Sequence, residues 1–206
     1  MTLGEALATL PLIAILRGVR PAEAPEIGRI LVRAGWCAIE VPLNSPSPMD
    51  SIRGLASEIG GAALVGAGTV LSPEEVDRVA EAGGRLIVSP DANEAVVRRA
   101  KALGLAALPG FFTPTEAFRM IEAGADALKF FPADVAPPAM LKAMKAVLPA
   151  QMPIVPTGGI DVANMQAWRD AGAAAFGIGG ALYKPGVALD ALRGKAERLA
   201  SAARAL

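Results

Sequence analysis

Histidine is absent from the 206-residue chain, and cysteine occurs once, as Cys37. The lack of histidine excludes imidazole bases, histidine-dependent catalytic triads and histidine-ligated zinc. A single cysteine excludes an internal disulfide and a cysteine cluster for a metal. Its apolar neighbours indicate a packed side chain rather than a nucleophile. Any acid–base chemistry must therefore use carboxylates, lysine, tyrosine or water.

Neither sign of charge is in excess, because 20 Lys and Arg residues balance 20 Asp and Glu residues. The chain thus has no basic field to attract nucleic acid or an anionic membrane. Its longest uncharged stretches, 59–73 and 146–160, contain Gly and Pro and are shorter than the ~20 residues that a transmembrane helix needs. The N-terminal segment carries Glu5 and lacks the basic region of a signal peptide. We expect a cytoplasmic protein.

Apolar residues are abundant, at 53% of the chain against 19% charged residues. Such a composition is typical of parallel strands that are buried on both faces. The length suits one domain spanning residues 1–206, near the lower limit for a closed α/β barrel.

A repeated junction predicts the order of the elements. Glycines recur at intervals of 20 to 25 residues, each after a helical segment and before an apolar run, with a proline as the one substitute. These residues are Gly35, Gly60, Gly83, Gly104, Gly124, Pro149 and Gly172. With a first strand ahead of them, the junctions predict eight strands: 12–17, 38–43, 63–69, 86–90, 106–110, 127–132, 154–159 and 175–180.

Helix starts lie between these strands. Segments 72–75 and 113–116 each combine a capping hydroxyl, a proline and a glutamate, and Asp91 opens a similar segment without the proline. Alternating strands and helices predict an α/β fold, and we expect a TIM (β/α)8 barrel with a closed eight-stranded parallel sheet. An open doubly wound sheet is the alternative, but residues 16–21 lack the glycine-rich dinucleotide turn of that fold.

Polar residues stand at the ends of several predicted strands, where the active sites of such barrels form. Lys129 lies in an otherwise apolar strand, and desolvation would make its amine a nucleophile toward a carbonyl. Glu40, also in an apolar strand, is a candidate proton shuttle. A structural ion pair is the alternative for both residues. Arg17 could bind a carboxylate or be an ordinary solvated side chain.

Threonine and glycine residues complete the candidate site. Thr69 and Thr157 also end strands, although β propensity alone explains threonine there. Glycine pairs follow the last two strands, at positions that often bind phosphate through backbone N–H groups. These glycines are Gly158, Gly159, Gly179 and Gly180.

Five motifs resemble the KDPG/KHG aldolase family, in the expected order and over essentially the whole chain. They are LPLIAILRG (10–18), EVPLNSP (40–46), GAGTVL (66–71), KFFPA (129–133) and PTGGI (156–160). The resemblance implies a homotrimeric class I aldolase that needs no metal or other cofactor. It also implies that a 2-keto-3-deoxy sugar acid phosphate is cleaved to pyruvate and glyceraldehyde 3-phosphate.

By the same resemblance, Lys129 matches the Schiff-base lysine and Glu40 the general acid/base. Arg17 and Thr69 would hold the substrate carboxylate, Thr157 would lie near the C4 hydroxyl, and the four glycines would bind the phosphate. The first two motifs, with Asn44 where gluconate-type members carry arginine, resemble the galactonate type. The last two motifs look more like the gluconate type. We favour 2-dehydro-3-deoxy-6-phosphogalactonate, with the gluconate epimer or 4-hydroxy-2-oxoglutarate as the alternative.

Two other classes of protein would keep the glycine turns. A phosphosugar isomerase or synthase would need no iminium, and a non-catalytic sugar-phosphate-binding protein would tolerate loss of Lys129 and Glu40. A metal-dependent aldolase is disfavoured, because no histidine or carboxylate pair suggests a divalent site.

Overall fold

Each short apolar run of the chain forms a β-strand, and each intervening amphipathic segment forms a helix. The computed structural model describes all of residues 1–206. The strands are β1 (Leu12–Ile15), β2 (Ala38–Pro42), β3 (Leu64–Gly68), β4 (Leu86–Val88), β5 (Ala106–Leu108), β6 (Gly110–Phe111), β7 (Leu128–Phe130), β8 (Ile154–Pro156) and β9 (Phe176–Ile178). The helices are α1 (Leu3–Thr9), α2 (Ala24–Arg33), α3 (Pro48–Ile59), α4 (Pro73–Glu81), α5 (Glu94–Ala102), α6 (Pro114–Glu122), α7 (Pro138–Lys145), α8 (Met165–Asp170) and α9 (Leu189–Arg204), with a 3-10 turn at Ala133–Val135. None of the helices is long and apolar enough to cross a membrane.

The strands form two parallel sheets, so the predicted closed eight-stranded sheet of a TIM barrel is wrong. Six strands form one sheet in the order β5-β4-β3-β2-β1-β9, and three form the other in the order β6-β7-β8. One isolated bridge, between Thr157 and Gly177, links the end of β8 to β9. Between β5 and β6 the connection is the chain itself, through Pro109.

Proline accounts for both interruptions of the hydrogen-bonded sheet. Proline has no N–H to donate to a neighbouring strand. Pro109 divides the predicted strand 106–110 into β5, which pairs with β4, and β6, which pairs with β7. Gly110 then donates its N–H to the Asp91 carbonyl. On the other side, Pro156 ends β8 and lacks the N–H that would face β9, which limits the bonds between these two strands.

Capping of the helices follows the sequence at two of the three predicted positions. Ser72 caps α4 by accepting from the Glu75 N–H, and Thr113 forms a reciprocal capping box with Glu116 at α6. At α5 the cap is Asn93, whose side chain accepts from Ala95 and Val96, so the prediction of Asp91 as the cap is wrong. An asparagine directly before the helix reaches these N–H groups, which a side chain two residues earlier does not.

The alternation of side chains along each strand separates two apolar clusters. The outer cluster has 54 buried residues, packs against the helices, and includes Leu12, Ala14 and the residues in register with them. The inner cluster has 12 residues, drawn from both sheets, and includes Ile13 and Ala38. Because alternate residues share a face, Glu40, two residues after Ala38, points to the same inner side.

Candidate active site

A pocket of about 500 Å³ opens at the C-terminal ends of the strands. It is lined from β1, β2 and β7 and from the turns that follow β8 and β9. Eight of the nine predicted site residues lie in its wall, and Thr69 is the exception. The eight are Arg17, Glu40, Lys129, Thr157, Gly158, Gly159, Gly179 and Gly180.

Lys129 lies in the middle of β7, between two apolar residues that face the helices. Leu128 and Phe130 are fully buried in the outer cluster, so the alternation turns Lys129 inward. Its side chain is buried, and its Nζ lies 4.6 Å from the centre of the Phe131 ring. Burial lowers the pKa of Lys129, the charge of Arg17 lowers it further, and the charge of Glu40 opposes both. The pocket therefore favours the neutral, nucleophilic amine.

Glu40 is buried in the middle of β2, with its Oε2 bonded to no group of the protein. Burial raises the pKa of Glu40 to about 7, against the opposing charges of Lys129 and Arg17. The carboxylate lies directly against Gly68, where a Cβ would overlap with it. Glycine at position 68 thus makes the space that Glu40 occupies. A carboxyl group with a pKa near neutrality can both donate and accept a proton.

No ion pair joins Glu40 to Lys129. The chain forms nine ion pairs within 4.0 Å, and none includes either residue. The charge of each residue shifts the pKa of the other, so the two charges interact across the pocket. No direct bond joins the two side chains. A purely structural ion pair, the alternative reading of both residues, does not fit this geometry.

Arg17 extends from the end of β1 and is held by the loop that follows β2. Its Nη1 donates to Asn44 Oδ1 over 2.6 Å, and the next residue, Gly18, donates its N–H to the buried Ser45 Oγ over 2.9 Å. Asn44 is a neutral acceptor, so it orients the guanidinium without neutralising its charge. The remaining N–H groups of Arg17 are available to an anion.

The two threonines differ in their positions. Thr157 is buried in the pocket wall, donates to the Val155 carbonyl over 3.4 Å, and packs against Gly177, where a Cβ would overlap with it. Thr69 is half-buried outside the pocket wall and follows the end of β3 with a φ of 58°. β propensity does not explain a threonine in this left-handed conformation, which is rare for branched residues.

The glycine turns after β8 and β9 present free backbone N–H groups. The N–H groups of residues 158–160 and 179–181 donate to no acceptor in the protein. Gly158 and Gly159 have φ values of 110° and 65°, which side chains seldom adopt. Converging free N–H groups are suited to binding an anion.

Six lining residues were not predicted as site residues: Ile15, Phe131, Ile160, Asp161, Ala181 and Lys184. Phe131 follows Lys129 by two residues, so strand periodicity could have placed it on the same face. Lys184 follows the last glycine turn by four residues, and only the course of the loop brings it to the pocket. No group of three or more Cys, Asp or Glu side chains is arranged to hold a metal ion.

Comparison with known proteins gives a consistent result. A sequence model described as KDPG and KHG aldolase matches residues 3–191. The chain belongs to the KDPG and KHG aldolase family. It is 46% identical over 181 residues to the 2-dehydro-3-deoxy-6-phosphogalactonate aldolase of Escherichia coli (strain K12), covering 88% of each chain.

Solved structures of aldolases have the same fold. A native KDPGal structure superimposes with a TM-score of 0.93 and 44% identity, over 95% of each chain. The KDPG aldolase of Legionella pneumophila, with pyruvate captured at low pH as a covalent carbinolamine intermediate, has a TM-score of 0.84 and 26% identity, over 96% of this chain and 97% of that one.

Proposed function

We propose that this chain is a class I aldolase that cleaves 2-dehydro-3-deoxy-6-phosphogalactonate to pyruvate and D-glyceraldehyde 3-phosphate. The observation that carries the proposal is the pair formed by Lys129 and Glu40. Both side chains are buried in one pocket, their pKa values are shifted toward neutrality, and no ion pair joins them. The pair therefore offers a neutral amine beside a carboxyl group that can exchange a proton.

Lys129 is the proposed nucleophile. Its neutral Nζ attacks the C2 ketone of the substrate and forms a carbinolamine. Glu40 donates the proton with which the C2 hydroxyl leaves as water, and a protonated iminium remains. The carbinolamine captured with pyruvate in the Legionella relative supports this step for a member of the same family.

Bond cleavage then depends on removal of a proton from the C4 hydroxyl. Ionised Glu40, directly or through a water, accepts that proton, the C3–C4 bond breaks, and its electron pair moves to the iminium to form an enamine. Glyceraldehyde 3-phosphate leaves. Protonation of the enamine at C3 and hydrolysis of the resulting iminium release pyruvate and restore Lys129.

Two groups of donors would hold the ends of the substrate. Arg17, oriented by Asn44, is the proposed partner of the C1 carboxylate. The free N–H groups around Gly158–Gly159 and Gly179–Gly180 would receive the phosphate. Thr69 is an indirect contributor, because it lies outside the pocket wall and directly follows β3, the strand that pairs with the strand of Glu40.

The galactonate epimer is the preferred substrate because the relative with that name is 46% identical to this chain. Cleavage of the gluconate epimer is the second candidate. It is favoured by the segments 129–132 and 156–159, which resemble the gluconate type, and by Thr157, whose hydroxyl lies in the pocket wall. The resemblance to the family also leads us to propose a homotrimer and a cytoplasmic location, and light scattering coupled to size exclusion tests the trimer.

The test of this function is pyruvate release from the two C4 epimers, followed with a coupled dehydrogenase. We expect turnover of the galactonate epimer at the higher kcat/KM. Lys129→Met should lower kcat by roughly 10⁴-fold or more, since it removes the nucleophile. Lys142→Met, at an exposed position of α7, is the matched control and should keep full activity. Normal turnover by Lys129→Met would exclude Lys129 as the nucleophile, whereas a wild-type protein that releases no pyruvate from either epimer would favour an isomerase or a binding protein.

A further inference from the structure

Lys184 is a cation in the pocket with no partner in the protein. It lies in the loop after β9 and lines the same pocket as Lys129 and Glu40. It forms none of the nine ion pairs and no side-chain hydrogen bond. Its stem runs beside the last glycine turn, because a Cβ on Gly180 would lie 3.7 Å from Lys184 Cε.

The backbone on both sides of Lys184 is fixed by contacts with the segment that follows β1. The preceding residue, Tyr183, is buried and donates its hydroxyl proton to Glu23 Oε1 over 2.8 Å. The following residue, Pro185, packs so closely that a Cβ on Gly18 would lie 2.7 Å from its Cγ. The backbone of Lys184 is thus held at the pocket mouth, while its ammonium group has no bonded partner in the protein.

Lys184 differs from the other charged residues of the pocket in its position and in its lack of a partner. Arg17 is bonded to Asn44, and Lys129 lies deep in the pocket. Two carboxylates adjoin the turn after β8. Asp134 packs against Gly158 and Gly159, and Asp161 accepts from the Ala163 N–H over 2.9 Å. Neither forms an ion pair with Lys184. Among the cations that line this pocket, Lys184 is therefore the one that lies beside the glycine turns without a partner in the protein.

We propose that Lys184 binds the phosphate group of the substrate together with these N–H groups, an inference that rests on the proposed function. A phosphate monoester carries nearly two negative charges at neutral pH. Free N–H groups supply dipoles but no full charge, so a lysine beside them completes the site. Lys184 then selects phosphorylated substrates over their dephosphorylated counterparts without taking part in the chemistry at C2.

The experiment compares Lys184→Gln, Lys184→Arg and wild type on a phosphorylated and a dephosphorylated 2-keto-3-deoxy sugar acid. Lys184→Gln should lose about tenfold in kcat/KM on the phosphorylated substrate, the size of one exposed charge-assisted hydrogen bond. It should keep its kcat/KM on the dephosphorylated one, and Lys184→Arg should restore most of the loss. Lys142→Gln is the control, since Lys142 is exposed on α7 and lies outside the pocket.

Two further readouts separate this proposal from the aldolase assignment. Trapping of pyruvate with borohydride should be equal in wild type and Lys184→Gln, because pyruvate has no phosphate. A phosphorus NMR titration with inorganic phosphate should show weaker binding by Lys184→Gln, whatever reaction the pocket catalyses. Equal phosphate binding, or equal losses on both substrates, would overturn the role of Lys184, whereas failure of wild type to trap pyruvate would overturn the aldolase mechanism.

Discussion

Replacing Glu40 with glutamine should stabilise the protein at the expense of its activity. Burial raises the pKa of Glu40 to about 7 from its usual 4.5. Between these two pH values the folded protein retains a proton on Glu40 that the unfolded chain has released. The free energy of unfolding of the wild type therefore falls as the pH rises from 4.5 to about 7.

The magnitude follows from the two pKa values. Their difference corresponds to about 3 kcal/mol at about 1.4 kcal/mol for each pKa unit. Glutamine has nearly the same shape and cannot ionise, so Glu40→Gln does not lose this stability. Linkage predicts that the variant exceeds the wild type by about 1 kcal/mol at pH 5 and about 3 kcal/mol at pH 8.

Urea unfolding, followed by the fluorescence of the buried Trp36 and Trp168, measures this difference. The protein concentration should be the same at every pH, since assembly also changes apparent stability. Glu197→Gln, at an exposed position of α9, is the matched control and should change little. If the free energies of unfolding of Glu40→Gln and wild type differ by the same amount at pH 5 and pH 8, the pKa of Glu40 is not raised by folding.

Three other predictions concern Glu40 and its surroundings in the pocket. Gly68→Ala should destabilise the protein by about 1–3 kcal/mol in urea and lower kcat, because the added Cβ overlaps with the Glu40 carboxylate. Gly194→Ala, at a position with open space on α9, is the control and should change neither quantity. Equal effects of the two substitutions would contradict the prediction. Asn44→Asp should neutralise the charge of Arg17 and raise KM for the substrate about tenfold. Gln151→Glu adds the same charge elsewhere on the surface and is the control. An unchanged KM in Asn44→Asp would show that Arg17 does not bind the substrate carboxylate. The kcat/KM for cleavage should fall above about pH 7, because ionised Glu40 cannot donate the proton with which the C2 hydroxyl leaves, and a profile flat from pH 5 to 9 would exclude Glu40 as the proton donor.

Much of the secondary structure could be predicted from the sequence, because it is encoded locally. Largely apolar runs of five to seven residues predicted strand positions that each overlap an observed strand. The capping residues Ser72 and Thr113 marked two helix starts correctly. Such signals depend on neighbouring residues alone, so no knowledge of the tertiary structure was needed.

Closure of the sheet could not be predicted by counting strands. Whether adjacent strands exchange hydrogen bonds depends on which N–H groups face one another. Pro109 and Pro156 remove two donors at the interruptions between the sheets. Both prolines are visible in the sequence, but their effect depends on a pairing that only the three-dimensional structure defines.

Some residues of the site could likewise be predicted from the local sequence, whereas others depend on the tertiary structure. Lys129 and Glu40 could be found because a charged residue in an apolar strand is costly without a role. Thr69 was expected in the pocket from its place at the end of a strand, but the chain turns there with a positive φ and carries it outside the wall. Lys184 was missed because its place depends on the packing of Tyr183 and Pro185 against a distant segment.

The central claim is that Lys129 forms a covalent iminium with a 2-keto acid. Incubation with pyruvate and borohydride, followed by intact-mass analysis and peptide mapping, tests it most directly. We predict one reduced adduct, on the peptide that contains Lys129, and no adduct in Lys129→Met. A folded wild-type protein that gains no adduct, or that carries the adduct on another lysine such as Lys184, would contradict it.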